Sequence, residues 1–202
     1  MSKNAASRLD SIDQRVRRTR ERLGDALIEL VQEKPFDSIT VQEVLDRAEV
    51  GRSTFYVHYR DKDDLFMSDV DEFLEAFASS LSRSGERSDR VAPVRELFAH
   101  VAEARRLYDA FVESGKLSDF MELAHGHFAR SIETRLSELS RARGIDAAQR
   151  VVLAQASAGA TLSLMTWWLR QAVRPTPDEM DERFHALVWN GVNGPAKERD
   201  AG

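Results

Sequence analysis

Apolar residues recur at helical spacing along almost the whole chain. Leu23, Leu27, Leu30 and Val31 fall at i, i+4, i+7 and i+8, while Arg20, Glu21, Asp25 and Glu29 lie off that stripe. The pattern predicts a first helix from about Arg15 to Lys34-Pro35, where the residue before proline is pushed out of the α region. Thr40 with Glu43 three residues on is a capping box, and Ile39 and Val44 fit the accompanying hydrophobic staple. The second helix then runs to about Arg47 or Ala48. A short turn, Glu49-Val50-Gly51, leads into a third helix from Arg52 to His58, and Asp61 caps a fourth.

From Asp61 to about Leu81 the stripe continues through Leu65, Phe66, Val70, Phe73, Leu74 and Phe77, and the polar segment 82–88 reads as a break. Leu97, Phe98, Val101, Leu107, Tyr108, Phe111 and Val112 predict one or two shorter helices ending near Gly115. A long helix follows from Leu117 to about Arg143, with Phe120, Leu123, Ala124, Phe128, Ile132 and Leu136 inward. Helix 146–172 carries Ala154, Ala158 and Leu162 at four-residue steps beside Ser157 and Gly159, which would let another helix approach closely. Thr176-Pro177-Asp178-Glu179 is a second capping box, followed by the stripe Met180, Phe184, Leu187, Val188 and Val192. The whole chain therefore reads as all-α.

Two short helices joined by a tight glycine-containing turn are the geometry that lays the second in a DNA major groove. On the third helix, Phe55 and Tyr59 share a face that can pack onto Leu45 and Val50. Ser53, Thr54, Tyr56 and Val57 point the other way, flanked by Arg52 and His58. That outer face offers hydroxyls to base edges and phosphates, and apolar contact to thymine methyls. Lys62 falls in the first turn of the fourth helix, where a cation opposes the helix dipole unless a phosphate is bound nearby; a lysine simply in solvent is the plain alternative.

Charge sharpens this reading. The chain of 202 residues carries a net charge of −5, yet residues 1–60 hold 11 Lys+Arg against 10 Asp+Glu. Arg15, Arg17, Arg18, Arg20 and Arg22 crowd around a single Glu21. A basic footprint on an acidic body fits a site-specific DNA binder, although the solvated start of a helix carries the same pattern.

The string Thr40-Val-Gln-Glu-Val-Leu, followed by Val50-Gly-Arg-Ser-Thr-Phe-Tyr-Val-His-Tyr-Arg-Asp-Lys-Asp-Asp-Leu65, resembles the DNA-binding domain of TetR/AcrR-family transcriptional regulators over about residues 18–65. The resemblance implies a three-helix helix-turn-helix domain followed by a larger helical ligand-binding and dimerisation domain, with about nine helices. Residues 1–14 are then a flexible tail, 15–61 the DNA-binding domain, 62–193 the effector-binding and dimerisation domain, and 194–202 a C-terminal tail. It further implies that Thr40 contacts phosphate and Gln42 a base, that Arg52, Ser53 and Thr54 enter the groove, and that Tyr56, His58 and Lys62 grip the backbone. Two departures bear on the approach angle and so on the operator: Glu49 stands where glycine is common, and Gly51 where a capping serine is usual. Arg15, Arg17 and Arg18 fit either an arm in the adjacent minor groove or a solvated tail.

The resemblance also implies a homodimer on double-stranded palindromic or pseudo-palindromic operator DNA, acting as a repressor released by a small-molecule effector. Ala154, Ala158, Leu162, Phe184, Leu187 and Val188 are the candidates for the dimer interface, or for packing within one chain. Phe98, Tyr108, Phe111, Phe120, Met121, Phe128, Met165 and Trp168 are candidates for the effector pocket, or ordinary core.

Other classes find little support. No glycine-rich phosphate loop or G-x-S-x-G elbow occurs, so neither a catalytic residue nor a cofactor is expected. There is no cysteine, which suits a reducing cytoplasm. His125 and His127 lie about 200° apart around a helix and cannot share a metal, while His100 and His185 have no partner in the pattern. The opening segment has no apolar stretch of the signal-peptide kind, and the charge-free run Val151–Leu169 is too rich in Ala, Gly, Ser and Thr to face lipid. A helical ligand-binding protein that no longer binds DNA is the alternative function.

Overall fold

In the computed structural model, residues 3–85, 87–113 and 115–192 are described, and among these the chain is helical with no strand. The expected tail 194–202 lies outside them. Ten α-helices follow in order: α1 Lys3–Glu33, α2 Val41–Ala48, α3 Arg52–His58, α4 Lys62–Ala78, α5 Ser80–Arg83, α6 Val94–Glu103, α7 Arg105–Glu113, α8 Leu117–Glu138, α9 Ala147–Leu169 and α10 Pro177–Val192. No helix among the described residues is long and apolar enough to cross a membrane.

The boundaries follow local chemistry. Both capping boxes form: the Glu43 N–H donates to Thr40 Oγ1 while Glu43 Oε2 accepts from the Thr40 N–H, and Thr176 and Glu179 repeat the exchange. Asp61 Oδ1 accepts from the Asp64 N–H at 2.8 Å and starts α4 as expected. Three boundaries differ from the sequence reading. Helix α1 begins at Lys3, so the segment read as a flexible tail is largely helical. Helix α8 stops at Glu138, because Leu139 is extended (φ −78°, ψ 128°) ahead of a short 3-10 turn at Ser140–Ala142. Helix α4 ends at Ala78, with the one-turn α5 following.

The chain divides into two compact units, and the division falls inside α4 rather than at 61/62 or at 82–88. The first unit comprises residues up to Glu72 together with Arg105–Phe120. Its core holds Leu23, Leu27, Phe36, Val44, Phe55, Leu65 and Phe66, each fully buried, and burial of each such side chain is worth about 1.5–3 kcal/mol. Phe66 explains why α4 belongs here: its ring lies 4.8 Å from Phe36 and stacks on Phe111 of α7 at 4.6 Å. Phe111 in turn meets Phe120 at 4.5 Å.

The second unit comprises Phe73–Ala104 and the chain from Met121 onward. Helix α10 packs along α6, and Phe98 of α6 meets Trp168 of α9 edge to face at 5.2 Å. A polar network pins the segment before α6. Arg90 pairs with both Glu96 and Asp181, and buried Arg135 donates to the carbonyls of Ser88 and Arg90. His185 is part of this network: Nε2 accepts from the Val91 N–H at 3.0 Å, and Nδ1 lies 2.8 Å from the Asp181 carbonyl. These partners give the ring a structural role, with Nε2 as the accepting nitrogen.

Candidate nucleic-acid interface

Helix α3 has seven residues, and Phe55 is the one it buries. Such a helix is too short to hold itself together, so its neighbours must fix it. Phe55 packs edge to face on Tyr56 at 5.3 Å and tilts against Tyr59 at 5.8 Å. Arg20 of α1 then pegs its end: Nε donates to Tyr59 Oη at 3.0 Å, and Nη2 donates to Ser68 and pairs with Glu72. Burial and the neighbouring acids raise the Tyr59 phenol above its ordinary value, with Arg20 opposing them.

Helix α2 is anchored to α1 on the other side. Arg47 bridges to Glu33 (2.9 Å) and Glu29 (3.1 Å), and Lys34 Nζ donates to Glu43 Oε1 at 2.6 Å. The Lys34 bond, with those from Thr40, holds the Glu43 carboxyl at about 2, so the capping box stays ionised at any physiological pH.

Between the two helices Glu49 adopts the left-handed conformation (φ 52°, ψ 44°), and its N–H closes onto the Leu45 carbonyl. This accounts for the departure seen in the sequence: the turn keeps glycine's conformation with a glutamate in it. Arg22 is placed to hold the strained residue, with Nη2 3.2 Å from Glu49 Oε2. Gly51 precedes α3 in extended conformation with no side-chain cap.

The outward face of α3 is open. Arg52, Ser53, Thr54, Tyr56 and Val57 are all exposed, with Tyr56 at 51% and Val57 at 77%, and His58 is half-buried at the end. Thr40 and Gln42 are exposed at the start of α2, so seven of the eight expected contact residues lie on these two helices and their caps. Two of them are bonded to each other: Arg52 Nη2 donates to Gln42 Oε1 at 3.0 Å.

Lys62, the eighth, has a different setting from the one the sequence suggested. Its ammonium donates to the carbonyls of Phe36 (2.7 Å) and Ile39 (2.9 Å) and sits 4.5 Å above the Phe36 ring. The first-turn cation is thus compensated by carbonyls of the turn before α2, tying α4 to the start of the reading motif. Sequence spacing gave no sign of this, because the partners lie 26 and 23 residues away.

Arg15, Arg17 and Arg18 stand on helix α1, with exposed side chains. The segment is helical in this structure and not extended.

The eight effector-pocket candidates are split between the units. Tyr108, Phe111 and Phe120 belong to the first, where the two phenylalanines extend the Phe66 stack. Phe98, Met121, Phe128, Met165 and Trp168 belong to the second, and all but Met121 are buried. Of the six interface candidates, Ala154, Ala158, Leu162, Phe184 and Val188 are buried within the single chain. Within one chain these five side chains are therefore part of the core. Leu187 is the exception at 63% exposure, and Val151, Val152 and Trp167 of α9 are the exposed apolar residues the stripe reading missed. Among the described residues no group of His, Asp and Glu is placed to hold a metal ion.

Comparisons with known proteins agree with this geometry. Residues 23–68 match the model of bacterial regulatory proteins of the tetR family, and residues 93–190 match that of a transcriptional regulator C-terminal region. The chain is 38% identical over 58 residues to an uncharacterised HTH-type transcriptional regulator, YxbF, of Bacillus subtilis (strain 168), a stretch covering 28% of this chain and 15% of that protein. Among solved structures it is similar to a TetR transcriptional regulator from Streptococcus agalactiae 2603V, with 23% identity, 89% and 98% of the two chains covered and a TM-score of 0.58. It is likewise similar to a TetR-family regulator from Syntrophomonas wolfei, with 18% identity, 89% and 97% covered and a TM-score of 0.60. The architecture and the motif are those of a helix-turn-helix DNA-binding regulator. The chain belongs to the TetR family of transcriptional regulators.

Proposed function

We propose that the protein is a dimeric repressor that binds a palindromic or pseudo-palindromic operator in the cytoplasm and is released by a small-molecule effector. The observation that carries this reading is α3: a seven-residue helix fixed from both sides, presenting Arg52, Ser53, Thr54 and Tyr56 outward. Arg52, Ser53 and Thr54 read base edges; Thr40, Tyr56 and His58 hold phosphates; Gln42 stands beside Arg52; and Lys62 stabilises the frame, with its third N–H left for phosphate.

Dimerisation runs through the outward faces of α9 and α10, where Val151, Val152, Trp167 and Leu187 would be covered by a second copy. Two copies place two α3 helices one DNA turn apart, about 34–36 Å. The effector is an apolar molecule bound in the second unit among Phe98, Phe128, Met165 and Trp168, and it favours the state whose α3 spacing fails to match successive major grooves.

Selection from random-sequence duplexes, followed by sedimentation of the complex, tests this. A consensus with two inverted half-sites and two chains per duplex is expected. A single asymmetric half-site bound by one chain would refute the dimeric reading.

A further inference from the structure

The contact between Gln42 and Arg52 does not end at those two residues. Gln42 Nε2 donates to Asp46 Oδ1 at 2.7 Å, and Gln42 Oε1 accepts from Arg52 Nη2 at 3.0 Å. Asp46, Gln42 and Arg52 therefore form a line from α2 to α3, ending on the one cation at the exposed start of α3. We propose that Asp46 is a positioning residue for base recognition: it fixes which end of the Gln42 amide faces Arg52, and through it the direction in which the Arg52 guanidinium meets a guanine. This rests on the reading of α3 as the operator-reading helix.

The argument is one of donors and acceptors. A glutamine amide offers two N–H groups at one end and a carbonyl oxygen at the other, and nothing intrinsic selects its orientation. An ionised carboxylate only accepts, so Asp46 admits only the NH2 end. The carbonyl is then turned to Arg52, whose guanidinium only donates. With Asp46 removed, the amide is free to turn its NH2 toward Arg52, where donor faces donor. Arg52 would then lose the anchor that restricts it, and Gln42 would become free to pair with adenine N6 and N7, the contact its own amide suits.

Asp46 is exposed and is not needed to hold α2, which Thr40, Glu43 and Arg47 already secure. Its spacing to Gln42, i to i+4, places it to bond that side chain and little else on its own helix.

The test is position-by-position base preference, measured by random-sequence selection with the full-length protein and with Asp46→Ala, Asp46→Asn and Gln42→Ala, each checked for wild-type thermal stability. The wild type is expected to prefer guanine at one pair per half-site by about fivefold or more, the range of a bidentate arginine contact. Asp46→Ala should lose most of that preference at that pair alone, and Asp46→Asn, whose own amide can present a donor as well as an acceptor to Gln42, should lose part of it. Adding Asp46→Ala to Gln42→Ala should change nothing further at that pair. The salt dependence of binding should stay as in the wild type, since no phosphate contact is removed. If Asp46→Ala instead strengthens binding to all duplexes equally and steepens the salt dependence, Asp46 acts only as a charge and the proposal fails. An unchanged preference also defeats it. A wild type that selects no sequence at all would overturn the operator-reading assignment itself, a result separate from either of these.

Discussion

Gly24 of α1 lies directly against the carboxyl group of Asp69 on α4: a methyl group at position 24 would overlap both Oδ2 and Cγ of that side chain. The close approach leaves Asp69 Oδ2 buried without a hydrogen-bond partner. Arg20, the nearest cation, is committed to Tyr59, Ser68 and Glu72, while Asp25 and Glu72 add negative charge. Burial first, and then the Glu72 charge, push the Asp69 carboxyl up to about 7.

A pH dependence follows. An acid raised in the folded state costs nothing below its ordinary value of 3.8, and stability is lost as pH climbs from there through about 7. At about 1.4 kcal/mol per unit the full loss is on the order of 2–4 kcal/mol, discounted for partial solvent access. Asp69→Asn should therefore melt several degrees higher than the wild type at pH 8 and nearly with it at pH 4. Parallel melting curves for the two proteins across that range would show that Asp69 does not titrate as described.

Position 24 can be tested separately. Alanine is the better helix former, but here it must displace the carboxyl, and overpacking of this kind costs about 1–3 kcal/mol. Gly24→Ala should lower the denaturant midpoint, and Asp69→Ala added to it should restore much of the loss. Additive losses in that double-mutant cycle would show that the two sites do not meet.

Glu49 carries the turn at φ 52°. Glycine adopts this conformation without the side-chain penalty, while the exposed pair with Arg22 is worth little. Glu49→Gly is expected to stabilise the protein by about 0.5–1 kcal/mol, read as a rise of a few degrees in melting temperature. A fall in melting temperature would mean that the Arg22 contact outweighs the backbone strain.

Lys62 and Tyr56 should separate in their effects. Lys62→Ala removes two charged hydrogen bonds and a cation–π contact and is expected to cost about 1–3 kcal/mol of stability, with weaker DNA binding as well. Tyr56→Ala should leave the melting temperature within a degree or two while weakening binding at least as much. If Lys62→Ala melts like the wild type, its role is confined to DNA.

Leu187 and Phe184 make a similar pair on α10. Leu187→Arg is expected to shift sedimentation toward the monomer with helix content unchanged, whereas Phe184→Ala should destabilise the chain itself by about 3–5 kcal/mol. A Leu187→Arg protein that stays dimeric would place the partner surface elsewhere.

Much of this was legible in the sequence because the governing interactions are local. Thr40 and Glu43 cap α2 at a spacing of three, and Thr176 and Glu179 do the same for α10, so both starts could be read directly. Phe55 and Tyr59, four apart, announced the inward face of α3, which left Arg52, Ser53, Thr54 and Tyr56 facing out. The Gln42–Asp46 pair, four apart on α2, is local in the same way. What could not be read depends on chain return. Nothing near Lys62 points to the carbonyls of Phe36 and Ile39, and nothing near Gly24 points to Asp69. The stripe at Ala154, Ala158 and Leu162 marked a packed face correctly, but periodicity does not distinguish a neighbour in the same chain from one in another. The helical start at Lys3 has no apolar stripe to mark it, since the stripe begins only near Leu23.

The most direct test of the central claim is a fluorescence-anisotropy salt titration of the full-length protein on the DNA immediately upstream of its own gene, against a scrambled duplex of equal length. Binding at least about a thousandfold tighter to the upstream DNA, weakening steeply as salt rises, is the predicted result. Equal affinity for the two duplexes at every salt concentration, repeated with the best duplex from random-sequence selection, would contradict the account and point instead to a helical ligand-binding protein that no longer reads DNA.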